Sequence, residues 1–279
     1  MLDKTATSAP TLTLGDLRVT CHSDGHLLIP AAFFPDADPL EKKKVTPHTR
    51  FGANTWLIET GERTILVDAG SGDWLKARYP QTGLLGWQGE DLEERRSKVT
   101  DIIVTHMHAD HIGGLSAGGT SLFPNAELHV QAAEWDYWTD EALINSVAED
   151  RKPLVGLIQA LARPIESQVT LHSGEKDLGG GVLLFPAPGH TPGHQAVHLS
   201  SGSKEVYLLA DVVVSDALQF ANPEAVYALE TDPELAAATR KFLFERLAFE
   251  RTPFAATHLN ETGFGCLEKQ TGGFRFEAL

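Results

Sequence analysis

The chain has 279 residues, 42% of them hydrophobic, which is enough for one large core in a single layered α/β domain. Its formal net charge of -15 at pH 7 argues against nucleic acid as a partner, because so negative a surface repels phosphates. No apolar stretch has the length of a signal peptide core or a membrane span. The two cysteines, Cys21 and Cys266, are too few for a disulfide framework and are expected to pack as small apolar residues. We therefore expect a soluble protein of a reducing compartment, the cytoplasm, with neither nucleic acid nor a membrane as a partner.

Periodicity and turn residues predict the elements of the N-terminal half. Residues 11–22 alternate as a strand, and Asp24-Gly25 supplies the turn of a β-hairpin. Residues 31–50 are typical of an irregular loop that carries the solvated lysine run 42–44, with Phe33 and Phe34 as apolar tips. The other predicted elements are strands at 54–60 and 63–67 around Gly61-Glu62, a loop at 73–87, a polar helix at 91–98, a strand at 101–105, a strand at 127–130 and a helix that begins at Gln131.

In the C-terminal half, the helical stretch 141–162 is expected to break near Pro153, because proline interrupts a helix. Thr231-Asp232-Pro233 predicts a helix start, with a capping oxygen before a first-turn proline, and that helix runs to about Glu250. Strands are expected at 168–172, 182–186, 195–199, 205–210 and 254–257, and the chain closes with a hairpin around Gly272-Gly273. With residues 1–10 as a flexible leader, residues 11–279 are predicted to form one domain of two packed sheets and outer helices.

Four potential metal ligands follow the apolar strand 101–105 within six residues: His106, His108, Asp110 and His111. Side chains two apart point the same way in an extended chain, so the first three can share one face. His111 departs from that parity and fits if the chain turns there into a helix. A ligand group that points in two directions suits two metals better than one, and imidazole and carboxylate are the ligands of a zinc-type site.

Four more polar residues each end an apolar strand, where side chains converge on one sheet edge. They are Asp68, His190, Asp211 and His258. One such aspartate is usually a turn former. Four such ends together with the central cluster favour a shared site.

This series of motifs resembles that of the metallo-β-lactamase superfamily, especially its hydrolases similar to methyl parathion hydrolase and to the N-acyl-homoserine lactonases. The resemblance covers residues 54–258 and implies an α/β fold, the αββα four-layer sandwich, with a binuclear metal site. It implies that Asp68 holds a ligand by a hydrogen bond. Carried over position by position, the metal ligands are His106, His108 and His190 for one metal, Asp110, His111 and His258 for the other, and Asp211 as the bridge between both.

The resemblance implies a hydrolase in which two divalent ions share a hydroxide that attacks an ester, a lactone or a phosphotriester. Zinc is the expected metal, with manganese, cobalt and iron left open. Asp110 is the best-placed group to orient the hydroxide or shuttle its proton, and a role as ligand alone stays open. Lactonases typically have a tyrosine three residues after the bridging aspartate, where this chain has Val214. Where the parathion-hydrolase group has an apolar turn, this chain has Asn260 and Glu261.

Aromatic residues are candidates for an apolar cleft beside the metals. Core packing is the preferred interpretation for Trp135, and Trp138 is left open. His194 either supports the nearby ligand loop or, as we prefer, is a structural histidine. The other cleft candidates are Phe34, Phe220 and Trp87, and the histidines interpreted as structural or exposed are His22, His26, His48, His129 and His172.

Two other activities stay open. A thioester hydrolase of the glyoxalase II kind would share the ligand series, but it should need a basic C-terminal patch, and residues 259–279 offer only Lys269 and Arg275. An iron-dependent sulfur dioxygenase is the second alternative, because imidazole also suits iron. Relatives of this kind are often dimers, so a homodimer is an expectation by analogy.

Overall fold

In the computed structural model, residues 9–83, 92–259 and 263–279 are described. Most of the expected leader, the first residue of the helix predicted at 91–98, and three residues discussed above, Trp87, Asn260 and Glu261, lie outside the described residues. The boundaries of the leader and of the single domain stay predictions.

Sixteen strands are found in the described residues. They are β1 (Thr11–Leu14), β2 (Leu17–Leu27), β3 (Phe51–Glu59), β4 (Thr64–Val67), β5 (Asp101–Ile103), β6 (Ser116–Ala117), β7 (Thr120–Ser121), β8 (Glu127–Gln131), β9 (Val169–His172), β10 (Lys176–Gly179), β11 (Val182–Pro186), β12 (Gln195–Ser201), β13 (Lys204–Leu208), β14 (Phe254–Ala255), β15 (Gly265–Gln270) and β16 (Gly273–Ala278).

The same residues contain eight α-helices and four 3₁₀ segments. The helices are α1 (Pro39–Lys42), α2 (Leu92–Lys98), α3 (Ala109–Ile112), α4 (Ala132–Thr139), α5 (Leu143–Ser146), α6 (Lys152–Ala162), α7 (Asp216–Gln219) and α8 (Pro233–Glu250), and the 3₁₀ segments are Ala31–Phe33, Gly113–Leu115, Arg163–Gln168 and Ala210–Val212. No helix in the described ranges combines the length and the apolar character that crossing a membrane requires.

The strands form two seven-stranded sheets, in the orders β1-β2-β3-β4-β5-β8-β9 and β10-β11-β12-β13-β14-β15-β16, and β6 pairs with β7. A cluster of buried side chains from both sheets, including Val19 and Trp56 from one and Val197 and Leu208 from the other, fills the space between them. A second cluster joins the first sheet to helices α3 to α6, and a third joins the second sheet to α8. These four layers are the expected αββα sandwich.

Parallel pairing explains why strand-end residues meet at one edge. In the first sheet β4, β5, β8 and β9 are parallel neighbours, so the segments after Val67 and Ile103 leave on the same side. In the second sheet β13 and β14 are parallel, so the segments after Leu208 and Ala255 also leave together. The backbone N–H of Gln195, at the start of β12, donates to the carbonyl of Thr105 at 2.9 Å and joins the two edges.

The predicted hairpin turn at Asp24-Gly25 is wrong, because β2 continues through it as a bulge between Ser23 and His26. The β1–β2 turn lies instead between Leu14 and Leu17, where Gly15 has a φ of 56°. Asp24 is buried, and its carboxylate accepts hydrogen bonds from the backbone N–H groups of Ser71 at 2.7 Å and Gly83 at 3.2 Å. Asp24 therefore anchors the loops of Ser71 and Gly83 beside the sheet edge that carries the candidate ligands.

Other expectations differ in detail. The region 31–50 contains a 3₁₀ turn and α1, whose first turn is capped by the Asp38 side chain. Phe34 is fully buried and is no loop tip, because Phe51 and Tyr227 cover its ring. The strand β10 was not predicted, and the strand expected at 254–257 ends at Ala255. The helix break near Pro153, the α8 start at Pro233 and the final hairpin are confirmed.

Candidate metal centre

The segment after β5 turns into a helix where the parity argument required it. His108 is extended, with φ of -64° and ψ of 152°, and precedes α3, which contains Asp110 and His111. His106 and His111 are fully buried, and the ring centroids of these two residues lie 3.9 Å apart. The extended part therefore presents His106 and His108, and α3 presents Asp110 and His111.

Three histidines form the first donor group. The Nδ1 atom of His108 lies 3.1 Å from Nε2 of His106 and 3.0 Å from Nε2 of His190. All three residues are buried at the junction of the two sheets. His190 therefore reaches the central loop although it follows the other sheet.

Asp110, His111 and His258 form the second donor group, and Asp211 stands between the groups. The Oδ2 atom of Asp110 lies 3.5 Å from Nε2 of His258 and 3.8 Å from Nε2 of His111. Asp211 places Oδ2 at 3.0 Å from Nε2 of His258 and 3.3 Å from Nε2 of His190, with Oδ1 at 3.3 Å from Nε2 of His111. Its carboxylate touches both donor groups, as a bridging ligand must.

Burial keeps the first group uncharged. It lowers the pKa of His108 to about 4 and holds the pKa values of His106 and His190 well below the usual range, with further lowering from nearby imidazoles. Neutral imidazoles carry the free lone pairs that a cation needs.

In the second donor group, nearby carboxylates raise the pKa values of the histidines. Burial alone would lower the pKa of His111, but Asp211, Asp68 and Asp110 raise it well above its ordinary value. Burial likewise acts to lower the pKa of His258, and Asp211 with Asp110 raises it. The carboxylates therefore favour the protonated form of both rings, in contrast to the first group.

Hydrogen bonds orient the donor rings from behind. Oδ2 of Asp68 lies 2.7 Å from Nδ1 of His111, so the expected hydrogen bond from Asp68 to a candidate ligand is present. The carbonyl oxygen of Gly52 lies 2.7 Å from Nδ1 of His258. Nε2 of His194 lies 3.2 Å from the backbone nitrogen of Asp211. Such partners fix which ring nitrogen faces the site.

The donor set fits two divalent cations. Nδ1 of His108 lies 3.1 Å from Nε2 of His106 and 3.0 Å from Nε2 of His190, so the three ring nitrogens are close enough for one cation to bind their lone pairs. Nε2 of His111 and Oδ1 of Asp211 are buried and form no hydrogen bond within the described ranges, although they lie 3.3 Å apart. Buried polar atoms of this kind call for an ion or another partner. Nitrogen and carboxylate donors are those of zinc and related metals.

A cavity of about 560 Å³ opens beside the two donor groups, and His108 and Asp110 form part of its wall. Most of the other lining residues are apolar, among them Leu27, Ile29, Leu154, Leu157 and Leu229. A site of this size and character suits a small ligand with an apolar part.

The aromatic side chains of this cavity were not those expected. Phe220 is buried among Phe244, Phe254 and Phe276 beneath α8, so its assignment to the cleft is wrong. The aromatic residues on the cavity wall are Phe33, Tyr79 and Tyr227.

Trp138 and Trp135 do not line this cavity either. Trp138 is buried, with its ring edge-on to that of His108 at 5.5 Å between centroids. Trp135 lines a separate groove on the outer helices.

Tyr227 is a site residue that sequence reasoning missed. Its ring lies parallel to that of His190, with an interplanar angle of 2° and 6.1 Å between centroids. Burial, followed by the charges of Asp110 and Asp211, holds the pKa of its hydroxyl well above the usual range, so the group stays a hydrogen-bond donor at neutral pH. Val214 belongs to the same buried apolar cluster as Tyr227. Only the tertiary fold identifies this tyrosine.

Three of the remaining histidines have structural partners away from the donor groups. His129 lies 2.9 Å from a carboxylate oxygen of Asp101, and His172 lies 2.9 Å from the amide oxygen of Gln195. His198 stacks on Tyr207 with 4.4 Å between ring centroids. His194 differs, because its hydrogen bond with Asp211 makes it a support of the donor groups, the interpretation that was not preferred.

The family model described as "Metallo-beta-lactamase superfamily" matches residues 48–251. Among curated relatives, a probable metallo-hydrolase of Mycobacterium tuberculosis is 31% identical over 186 residues, which cover 56% of this chain and 54% of that protein. The chain thus spans about half the length of this relative. An N-acyl homoserine lactonase of Bacillus cereus is 26% identical over 240 residues, 80% of this chain and 88% of that protein.

A solved structure supports the same relationship. AidC, a dizinc quorum-quenching lactonase in complex with a product, N-hexanoyl-L-homoserine, has a TM-score of 0.86 and 25% identity, covering 98% of this chain and 97% of that chain.

Proposed function

Because this chain belongs to the metallo-β-lactamase superfamily, we propose that it is a binuclear, metal-dependent hydrolase of lactones and related neutral esters that carry an apolar substituent. The observation that carries this proposal is that two donor groups share Asp211 and adjoin a largely apolar cavity through His108 and Asp110. The relatives named as metallo-hydrolases and lactonases support it.

The proposed ligands are those of the sequence analysis. His106, His108 and His190 would hold one divalent ion, Asp110, His111 and His258 would hold the other, and Asp211, which lies between the groups, would serve both. Zinc is the metal we propose, since the donors are imidazoles and carboxylates. Two such ions supply a nucleophilic water at neutral pH and polarise the carbonyl of the substrate.

Asp110 is the acid–base group of this proposal. Its side chain is 16% exposed, whereas that of Asp211 is 3% exposed, and it lines the cavity that substrate would enter. Asp110 accepts the proton of the attacking water and later passes it to the leaving oxygen. In hydrolysis a new carbon–oxygen bond forms at the carbonyl carbon, the bond to the leaving oxygen breaks, and that oxygen takes the proton.

Tyr227 is the second group that we assign to substrate. Its protonated hydroxyl belongs to a residue on the same wall as Asp110, and its ring is held by the His190 ring and by Phe34, 5.5 Å away between centroids. A fixed donor in a water-poor cavity stabilises negative charge more than water does. We assign it a hydrogen bond to the leaving oxygen as charge develops there.

The alternatives have less support. A glutathione-type thioester needs free cations near the C-terminus, but Lys269 pairs with Glu245 at 2.6 Å and Arg275 pairs with Glu268 at 2.5 Å. A mononuclear iron centre would leave Asp110, His111 and His258 without a cation to bind, although these three also bring one ligand atom each within 4.8 Å of one another.

A substrate panel run with measured metal content tests the proposal. The panel contains acyl-homoserine lactones of short and long chains, a p-nitrophenyl ester, an acyl thioester and an aryl phosphotriester. We expect the highest kcat/KM for lactones, about two metal ions per chain as the donor groups imply, and loss of activity with a chelator that is reversed by zinc. A preference for the thioester or phosphotriester, or full activity in metal-free protein, would refute it.

A further inference from the structure

Glu134 is a fully buried carboxylate in the first turn of α4, and backbone and indole donors surround it. Oε1 accepts hydrogen bonds from the backbone N–H of Met107 at 2.8 Å and from Nε1–H of Trp138 at 2.8 Å. Oε2 accepts one from the backbone N–H of Gly193 at 2.9 Å. A buried carboxylate is costly to the fold unless it is satisfied in this way.

Two of the three donors belong to the loops that carry the first donor group. Met107 stands between His106 and His108, and Gly193 lies three residues after His190. His108 and His190, whose rings lie within hydrogen-bonding distance, are 82 residues apart in sequence. One carboxylate therefore ties together two distant backbone segments that must meet for a three-histidine group to exist.

The loop of His190 is seated directly on α4. A Cβ atom added at Gly193 would lie 2.2 Å from the backbone nitrogen of Glu134, so only glycine allows this approach. The third donor extends the contact, because Trp138 presents its ring edge-on to His108 at 5.5 Å between centroids. Glu134 thus fixes the backbone beside His108 and the indole that packs against its ring.

We propose that Glu134 is a positioning residue that sets the spacing of His106, His108 and His190 and so tunes the affinity of that group for its metal. The inference rests on the proposed binuclear centre. A second buried carboxylate, Asp68, lies 2.7 Å from Nδ1 of His111 in the second group, and it also accepts a hydrogen bond from the backbone N–H of Thr105, next to His106, at 2.9 Å. Glu134 contacts no ring of either group by hydrogen bond, so it acts through backbone placement.

The chemistry of the three donors explains why a carboxylate is needed. Four lone-pair positions on two oxygens accept all three N–H groups. In Glu134→Gln the amide oxygen can keep Met107 and Trp138, but the amide NH₂ then faces the N–H of Gly193. Two donors that face each other repel and leave a buried group unsatisfied. The loop of Gly193 and His190 should loosen, while Asp68 and His111 are untouched.

The test compares Glu134→Gln with Asp68→Asn by metal binding without substrate. Each apo-protein is titrated with zinc against a competing chelator and, separately, loaded with ¹¹³Cd for NMR, in which two sites give two resonances. Loss of a residue that orients ligands typically weakens metal binding about 10–100-fold. We expect Glu134→Gln to weaken one site by this factor and to perturb one cadmium resonance, and Asp68→Asn to perturb both resonances, because Asp68 contacts His111 and also Thr105 beside His106.

A purely structural role would give a different result. It would lower the Tm of the apo-protein and leave both zinc affinities and both resonances as in the wild type, which would overturn the inference. Equal weakening of both sites by Glu134→Gln would also overturn it. Wild-type protein that binds no metal would instead refute the proposed function, so the two failures are distinguishable.

Two further variants keep the test decisive. If Glu134→Gln does not fold, Trp138→Phe removes one donor and keeps the carboxylate, and it should perturb the same resonance by a smaller amount. No effect of Trp138→Phe on that resonance would then overturn the inference. Glu127→Gln, an exposed position on β8, is the matched control and should leave both sites unchanged.

Discussion

Nε2 of His194 accepts a hydrogen bond from the backbone N–H of Asp211 at 3.2 Å, and both residues are buried. Asp211 follows Ala210, whose φ of 47° is unusual for a residue with a side chain. Backbone in this region persists only where neighbours hold it. His194 therefore helps to hold the carboxylate of Asp211 between the two donor groups.

The first prediction follows from this hydrogen bond. In His194→Ala the N–H of Asp211 loses its acceptor, and the carboxylate is no longer held between the two groups. We expect zinc affinity to fall about 10–100-fold at both sites, as is typical for loss of such a partner. Competitive zinc titration measures it.

His198→Ala is the matched control, because His198 lies four residues later, on β12, and instead bonds to Glu205 at 2.8 Å. It should keep wild-type zinc affinity. Equal behaviour of the two variants would contradict the role of His194.

The second prediction distinguishes the proposed metal centre from another cluster of potential metal ligands. Asp101, Glu127 and His129 also bring potential ligand atoms within 4.8 Å of one another. Asp101 already pairs with Arg63 at 3.4 Å and with His129 at 2.9 Å, so its charge is compensated. We expect the cluster of Asp101, Glu127 and His129 to stabilise the fold and not to bind a metal ion.

His108→Ala should therefore lose metal from the first donor group, and lactone hydrolysis should fall about 1,000-fold, since a metal ion supplies several kcal/mol of transition-state stabilisation. His129→Ala should retain both metals and differ from wild type mainly in thermal stability. Far-UV circular dichroism checks that both variants fold. Metal loss in His129→Ala with retention in His108→Ala would reverse the assignment.

Four members of the donor groups could be predicted because their signal is local, whereas His190, Asp211 and His258 were assigned from strand ends and from the family resemblance. His106, His108, Asp110 and His111 lie in one short run, and parallel strands bring Asp68 to the same edge. The layers of the fold followed from alternating strands and from the family resemblance.

Glu134 and Tyr227 could not be recognised in this way. Glu134 lies in an ordinary short helix, and its partners Met107 and Gly193 are 27 and 59 residues away. Tyr227 occupies an irregular segment without periodicity. The turn predicted at Asp24-Gly25 was wrong because an Asp-Gly pair can form either a turn or a bulge. Long-range hydrogen bonds from Ser71 and Gly83 to Asp24 favour the bulge, and the local sequence does not show them.

The third prediction concerns the two thiols. Burial raises the pKa of Cys21 to about 12, against a weaker opposing effect of a hydrogen bond with Trp56, whereas Cys266 is partly exposed. At pH 8 only about one Cys21 thiol in 10,000 is ionised, and the thiolate is the reactive form. Iodoacetamide should alkylate Cys266 first in native protein, and both cysteines in denaturant, as peptide mass spectrometry can show. Rapid native alkylation of Cys21 would contradict its burial between the sheets.

The fourth prediction concerns the apolar cavity. Leu157→Trp on α6 fills part of it, so a long acyl chain loses buried methylenes, each of which contributes about 0.8 kcal/mol. Displacing two of them raises KM for a decanoyl lactone about 10-fold, with little change for a butanoyl lactone. Leu171→Trp, at a position that is 44% exposed on β9, is the control. An equal rise in KM for both chain lengths would show that the chain binds elsewhere.

The fifth prediction tests Tyr227 as a hydrogen-bond donor to the leaving oxygen. Tyr227→Phe keeps the ring that stacks on His190 and removes only the hydroxyl. A hydrogen bond to developing charge is worth about 1.4 kcal/mol or more, so kcat for a lactone should fall about 10-fold with KM nearly unchanged. Steady-state kinetics on lactones measures both constants.

The leaving group makes this test specific. A lactone releases an alkoxide, which needs the donated hydrogen bond, whereas p-nitrophenolate is a stable anion that leaves without one. Tyr227→Phe should therefore reduce kcat for the lactone far more than for the p-nitrophenyl ester, and Tyr207→Phe, on the second sheet, should change neither. If both substrates slow equally, or if KM alone rises, the hydroxyl binds substrate uniformly and does not assist bond cleavage.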